Sequence, residues 1–273
     1  MTSEADLQVQ IAAATEYEDF FVPALFRDWP WRMIEAARIE PGHRVLDVAC
    51  GTGIVARTAI ERVGSDGRIA GVDINAGMLS VAARLAPAIE WRRGPAEALP
   101  YPDDSFDAVV CQFGLMFFAD RRQALVEMLR VLAPGGHLAV SVWERLERTP
   151  VYASEVSVLD RIAGSRAADA LRAPFVLGDL DALGKLVADA GLPHAAITTY
   201  TGLARFPSVR SLLEADLRGW LPLMGVALPE DTIQTILIEA ERALAEYAAP
   251  DGTLTFESPA HVVTARKPPV GSP

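Results

Sequence analysis

Between residues 41 and 143 the chain alternates short apolar runs with segments of helical periodicity, an order that few architectures satisfy. The runs Arg44–Cys50, Arg68–Asp73, Ile89–Arg92, Phe106–Cys111 and His137–Trp143 have the length and unbroken apolarity of strands buried on both faces. Helical patterns fill the gaps at Ile54–Val63, Ala76–Leu85 and Arg121–Leu132. In the last of these, Leu125, Met128, Leu129 and Leu132 make one apolar stripe behind Asp120, which is suited to cap the helix. The breaker cluster Ala133-Pro134-Gly135-Gly136 follows it. Strand and helix in alternation predict a doubly wound α/β fold, a parallel sheet covered on both faces.

The flanks read differently. Residues 4–40 read as two helices punctuated by Pro23 and Pro30, and residues 149–192 as mostly helical up to Gly191-Leu192-Pro193. Ala195–Thr201 reads as a strand, Ser208–Trp220 and Asp231–Ala248 as helices, and Leu254–Phe256 with His261–Ala265 as a last strand. The last two strands are separated by helices but can still pair as an antiparallel ribbon at the sheet edge.

Composition removes several function classes. At 51% apolar over 273 residues the chain is too hydrophobic for intrinsic disorder. No run reaches the ~18 apolar residues of a membrane span. The acidic start, with Glu4 and Asp6, is unlike the basic start of a signal peptide, so a cytoplasmic location is expected. With 25 basic against 36 acidic residues the net charge is −11, and Arg92-Arg93 and Arg121-Arg122 are only pairs. No basic patch is available to neutralise phosphates, so nucleic acid is not expected as a partner. Cys50 and Cys111 are too few for a disulfide framework or a zinc site and read as buried thiols.

The segment richest in chemistry is Val45-Leu46-Asp47-Val48-Ala49-Cys50-Gly51-Thr52-Gly53-Ile54-Val55-Ala56. A strand enters a glycine turn that opens a helix, so the backbone can approach a ligand and the helix start offers free N–H donors. Asp73, twenty residues past Gly53, ends the next strand where it can accept hydrogen bonds from a ribose. Gly51-x-Gly53-x-x-Ala56 with a later acid also fits the dinucleotide fingerprint. Asp47, inside the first strand, favours a ligand with a cationic amino group, which a nicotinamide site does not need. Asn75 and Met78 follow Asp73, the latter suited to an adenine pocket.

With Gly71-Val72-Asp73, Ala96-Glu97-Ala98-Leu99-Pro100, Phe106-Asp107-Ala108-Val109-Val110 and Leu132-Ala133-Pro134-Gly135-Gly136 in the same order and spacing, the chain resembles the class I S-adenosylmethionine-dependent methyltransferases. The branch it resembles is the small-molecule group that includes the ubiquinone and menaquinone biosynthesis C-methyltransferases. The resemblance implies a seven-stranded sheet of order 3-2-1-4-5-7-6 with strand 7 antiparallel. It divides the chain into a helical cover (1–40), a cofactor-binding core (41–143), a C-terminal part carrying acceptor-pocket lid helices and edge strands (144–266) and a disordered tail (267–273). The implied cofactor is S-adenosyl-L-methionine. Asp47, Ala49, Gly51 and Gly53 would hold its methionine end, Asp73 the ribose, and Asn75 and Met78 the ribose and adenine. Ala96 and Glu97 would lie at the adenine edge, and Gln112 and Phe113 would close over the sulfonium. Many relatives carry an acid where this chain has Pro95, which puts the adenine contact in doubt.

A base is needed only if the acceptor must lose a proton. His43, His137 and His194 fall at strand starts, opposite the expected site, and His261 falls mid-strand, so all four read as structural. The catalytic candidates are Tyr17, in an N-terminal stretch holding Phe20, Phe21, Phe26, Trp29 and Trp31, and Glu144, at the exit of the fifth strand. Those aromatics read either as a lid over an apolar acceptor or as an anchor for the cover. The segments 144–180 and 207–250 fall where the resemblance places an acceptor pocket, and Tyr152, Phe175, Trp220, Leu221, Leu223 and Met224 in them predict a mainly apolar one. The expected function is methylation, on oxygen or carbon rather than nitrogen, of a small hydrophobic or aromatic metabolite. A protein of this fold that binds the cofactor as a cyclase or regulator, and a nicotinamide-dependent oxidoreductase, are the competing readings.

Overall fold

A computed structural model describes residues 4–269. Seven strands form one sheet: β1 (Arg44–Val48), β2 (Arg68–Asp73), β3 (Glu90–Arg93), β4 (Phe106–Gln112), β5 (Leu132–Trp143), β6 (Ala196–Phe206) and β7 (Leu254–Arg266). Their order is β3-β2-β1-β4-β5-β7-β6, with β7 antiparallel to β5 and to β6. β1 to β5 run parallel, and the apolar runs of β1 and β4 are buried on both faces, with Val45, Leu46 and Val48 completely buried.

The helices are α1 (Glu4–Glu16), α2 (Pro30–Ala36), α3 (Ile54–Val63), α4 (Ala76–Leu85), α5 (Arg121–Val131), α6 (Pro150–Ala163), α7 (Ser165–Arg172), α8 (Leu180–Asp189), α9 (Val209–Ala215), the single turn α10 (Leu221–Leu223) and α11 (Glu230–Leu244). Two hydrophobic cores result. One straddles the sheet, from Ile34 and Met33 through Val109 and Val110 to Met128. The other lies beneath α6, α7, α9 and α11, where Leu159, Leu171, Leu212 and Ile236 meet. These helices therefore bury apolar surface among themselves and against the edge strands, where Ala204, Phe206 and Leu254 join the same core.

Three expectations fail in detail. Pro23 does not interrupt the N-terminal helix: α1 continues into a π-helical stretch, Tyr17–Phe26, that contains it. The wider winding relieves the clash between the proline ring and the carbonyl four residues back. Ala133-Pro134-Gly135-Gly136 belongs to β5, which begins at Leu132 opposite Phe106 and shifts register before His137 meets Ala108. The tail is fixed at its start, where Lys267 Nζ donates to Asp104 Oδ1 and Leu132 O, both at 2.7 Å, and its backbone bonds Gly135 and Gly136. Residues 1–3 and 270–273, the latter the rest of that tail, lie outside the described residues, and the acidic Glu4 and Asp6 stand in the first turn of α1.

Candidate functional site

The carboxyl ends of the parallel strands converge on one cavity of about 360 Å³, within the range of small-molecule sites. β1 delivers Asp47 and Ala49, β2 delivers Asp73, β4 delivers Gln112 and Phe113, and β5 delivers Trp143. The chain leaves β1 and β4 in strained geometry: Ala49 and Phe113 both have φ of +55° although neither is glycine. Phe113 is held there by its N–H, which donates to the Ser141 carbonyl at 3.1 Å and to Ser141 Oγ at 3.2 Å.

Asp73 ties the glycine turn to α4. Oδ2 accepts from the Gly51 N–H and Oδ1 from the Asn75 N–H, both at 2.8 Å. Asn75 caps α4, its Oδ1 accepting from Gly77 at 2.8 Å and Met78 at 3.1 Å. Asp47 is buried with Oδ2 accepting from the Ala56 N–H at 3.0 Å. Burial, above all, pushes its carboxyl up to about 7; the Ala56 bond opposes this and the charge of Asp73 adds to it. Gln112 Oε1 is buried in the cavity wall with no donor.

Of the residues read as cofactor-binding, Asp47, Ala49, Gly51, Asp73, Asn75, Met78, Gln112 and Phe113 share this cavity. Gly53, Ala96 and Glu97 do not line it. Gly53 starts α3 with φ of +85°, and a Cβ there would stand 2.4 Å from the Trp91 ring, so its bareness accommodates Trp91. Ala96 is in the sheet core. Glu97 Oε1 accepts from the N–H groups of Ala119 and Asp120, at 3.0 and 3.3 Å, just ahead of α5.

The catalytic candidates separate as well. Tyr17 lines the cavity, and burial followed by the charges of Asp73, Glu18 and Asp47 holds its hydroxyl far above the usual phenol range. It can donate a hydrogen bond but does not rest as a base. Glu144 is not in the cavity wall; it pairs with Arg148 at 3.4 Å. Neither are the histidines: buried His261 bonds Thr199 Oγ1 at 2.8 Å and the Gly178 carbonyl at 3.1 Å.

The N-terminal aromatics divide between the two roles weighed for them. Tyr17, Phe21 and Phe26 face the cavity, whereas Trp29 is fully buried in the core. Phe113 and Trp143 stack at 3.8 Å, and Trp29 meets both edge-on at 5.1 and 5.7 Å. Next to Tyr17, Glu18 pairs with Arg57 at 2.6 Å, and Arg57 also donates to the Gly53 carbonyl at 3.3 Å. The cover is thereby tied to the glycine turn.

Residues 46–140 match the family described as a methyltransferase domain. The chain is 41% identical over 142 residues to the ubiquinone/menaquinone biosynthesis C-methyltransferase UbiE of Xanthomonas campestris, a match covering 49% of this chain and 56% of that protein. It is 44% identical over 115 residues to the demethylmenaquinone methyltransferase of Renibacterium salmoninarum, covering 42% of this chain and 47% of the other. The crystal structure of the YcgJ protein of Bacillus subtilis has the same fold, with a TM-score of 0.58 at 22% identity over 88% of this chain and 97% of that one. The matched stretches span about half the length of the two curated relatives.

The cofactor of such a domain is S-adenosyl-L-methionine, and the cavity suits it. An unpartnered Gln112 Oε1 and the buried Asp47 offer acceptors to a cationic ligand, and Asp73 has lone pairs left for a ribose diol. Of the residues expected in the acceptor pocket, Tyr152, Phe175, Trp220 and Leu223 line the same cavity, whereas Leu221 and Met224 do not. Sequence reasoning missed Asp216 and Ile74, an apolar residue 65% exposed just past Asp73, which also line it. An apolar side chain at a strand exit was the signal available for Ile74. For Asp216 there was none, because its neighbours belong to a helix far away in sequence.

Proposed function

We propose that this chain methylates a small, largely apolar acceptor, on carbon or oxygen, using S-adenosylmethionine. One observation carries the reading: a single cavity is lined both by the polar groups Asp47, Asp73 and Gln112 and by an aromatic annex that includes Phe175 and Trp220. A quinol or phenol fits such an annex, and the similarity to quinone C-methyltransferases over half the chain supports that class.

The bound cofactor supplies an electrophilic methyl group on a sulfonium. The chain's own contribution is placement and exclusion of water. Asp73 and Asn75 fix the ribose side, Asp47 and Gln112 answer the cationic end, and the stacked Phe113–Trp143 pair forms a rigid wall. Tyr17, Phe21 and Phe26 cover the opening from the N-terminal helix. In-line displacement draws most of its acceleration from such positioning.

The test incubates the purified protein with S-adenosylmethionine and a panel of naphthoquinols, phenols and amines, reading products by mass spectrometry. A product one CH2 heavier from a quinol or phenol, with equimolar S-adenosylhomocysteine, is expected. Turnover confined to the amines contradicts the acceptor class, and no turnover with any acceptor contradicts the reading.

A further inference from the structure

Two carboxyl groups meet at the lid end of the cavity without a cation. Glu155, on α6, is completely buried, and Asp216 is 3% exposed. Both oxygens of Glu155, and Oδ2 of Asp216, lack a hydrogen-bond donor among the described residues, and neither residue is in an ion pair there. The two carboxyl groups are close enough to act on each other. Two buried carboxyl groups side by side avoid facing like charges only if at least one carries a proton, which it can share with the other. Only Asp216 reaches the cavity. It is presented there by a π-helical turn, Asp216–Trp220, while Glu155 stands behind it.

Such an arrangement is costly for a fold. Burying a carboxyl without donors is unfavourable by kilocalories, and replacing it with an apolar side chain is often neutral or stabilising. Nothing in the packing of α6 against α11 calls for it. The unmatched acceptor belongs to a cavity lining that also includes Tyr152, Leu171, Phe175, Trp220, Leu223 and Ser258. A ligand donor is the missing partner.

We propose that Asp216 recognises the methyl acceptor by accepting a hydrogen bond from a hydroxyl on its aromatic or quinol ring, with Glu155 as the positioning residue that donates its shared hydrogen to Asp216. This rests on the functional reading above and adds the chemistry that chooses among apolar acceptors. In the annex an aromatic ring gains from burial whether or not it bears a hydroxyl. The carboxyl converts that indifference into selection, because an analogue lacking the hydroxyl leaves Asp216 buried and unpaired. The titratable groups facing the pair are few. Tyr152, on α6, feels the charges of both, and its own hydroxyl is held well above its ordinary value, chiefly by burial. Burial likewise raises Glu155 and pushes Asp216 up to about 8.

The test compares α-naphthol with α-methylnaphthalene, nearly equal in shape, on protein saturated with S-adenosylhomocysteine, by quenching of tryptophan fluorescence. Wild type is expected to prefer the naphthol by about 3- to 10-fold, the size of one hydrogen bond. Asp216→Leu is expected to erase the preference while binding S-adenosylhomocysteine as wild type does, which shows that the variant is folded. Glu155→Leu is expected to weaken the preference and Glu155→Gln, whose amide donates in place of the shared hydrogen, to restore it. A merely structural pair would not produce that rescue. Equal affinity of wild type for both probes, binding of neither, or a preference that survives Asp216→Leu overturns the inference while leaving the methyltransferase reading intact. Failure of wild type to bind S-adenosylhomocysteine at all overturns both.

Discussion

Gly53→Ala isolates what the glycine turn demands from what its neighbour demands. Gly53 has φ of +85°, and an L-residue held there loses ~1–2 kcal/mol. The added methyl carbon would also stand 2.4 Å from Trp91 Cη2, where a normal contact is about 3.5–4 Å. The ring cannot retreat easily, because a Cβ on Gly71 would meet it at 2.3 Å and its Nε1 donates to the Ala86 carbonyl at 3.0 Å. Overpacking of this kind costs ~1–3 kcal/mol, giving a loss of about 2–5 kcal/mol for the variant. Urea unfolding would measure it. Gly64→Ala is the control for backbone strain without a clash, since Gly64 has φ of +67° and ψ of −165° with nothing within 4 Å, and its cost should stop at the strain of about 1–3 kcal/mol. Combining Gly53→Ala with Trp91→Leu removes the clash but not the strain, so the double variant should be more stable than additivity by ~1–3 kcal/mol. Additivity to within about 0.5 kcal/mol would refute the claim that Gly53 is bare for the sake of Trp91.

Three further outcomes follow from the geometry. Trp29→Ala, which empties a fully buried site in the sheet core, should destabilise by about 3–5 kcal/mol in the same urea assay, against under ~1 kcal/mol for Trp31→Ala at a position 44% exposed. Asp47 retains a proton below about pH 7, so a cationic ligand bound beside it at pH 6 should release that proton. Calorimetry in two buffers of different ionisation enthalpy would show the release in wild type and lose it in Asp47→Asn. Asp47, Glu155 and Asp216 all titrate above their unfolded values, so the native state holds protons that the unfolded chain sheds above pH ~4. Their stabilisation is complete below that pH and is lost as pH rises through about 7 for Asp47 and about 8 for Asp216. Unfolding free energy should therefore fall between pH 5 and pH 8, and less steeply in Asp216→Asn; a rise over that range would contradict the burial argument.

The middle of the sheet was legible because its strands are buried on both faces, so β1, β2 and β4 fall within two residues of their apolar runs. β5 was cut short because Pro134 and Gly135 read as breakers, although they sit where the sheet margin bulges and tolerates both. Pro23 misled for a related reason, since no local rule foresees a π-helical turn that relieves its clash. The cofactor end of the cavity was legible because Asp47, Gly51, Asp73 and Asn75 come from strand ends and the turns that follow them, where position along the chain fixes position in space. Glu97 was not, because its carboxylate closes the backbone ahead of α5. Glu155 and Asp216 were the least legible residues. Each looks like an ordinary acid in an amphipathic helix, and only the packing of the lid turns both inward.

The central claim is that Asp47, Asp73 and Gln112 form an S-adenosylmethionine site, and calorimetric titration with S-adenosylhomocysteine tests it most directly, with NADH as the competing ligand. Asp73→Asn is the informative variant, because its amide still has one oxygen to accept the Gly51 or Asn75 N–H but carries no charge for the ribose diol. Micromolar binding of S-adenosylhomocysteine alone, weakened at least about 10-fold in Asp73→Asn, is the result the account predicts. Binding of NADH in its place, or of S-adenosylhomocysteine with undiminished affinity in the variant, would contradict it.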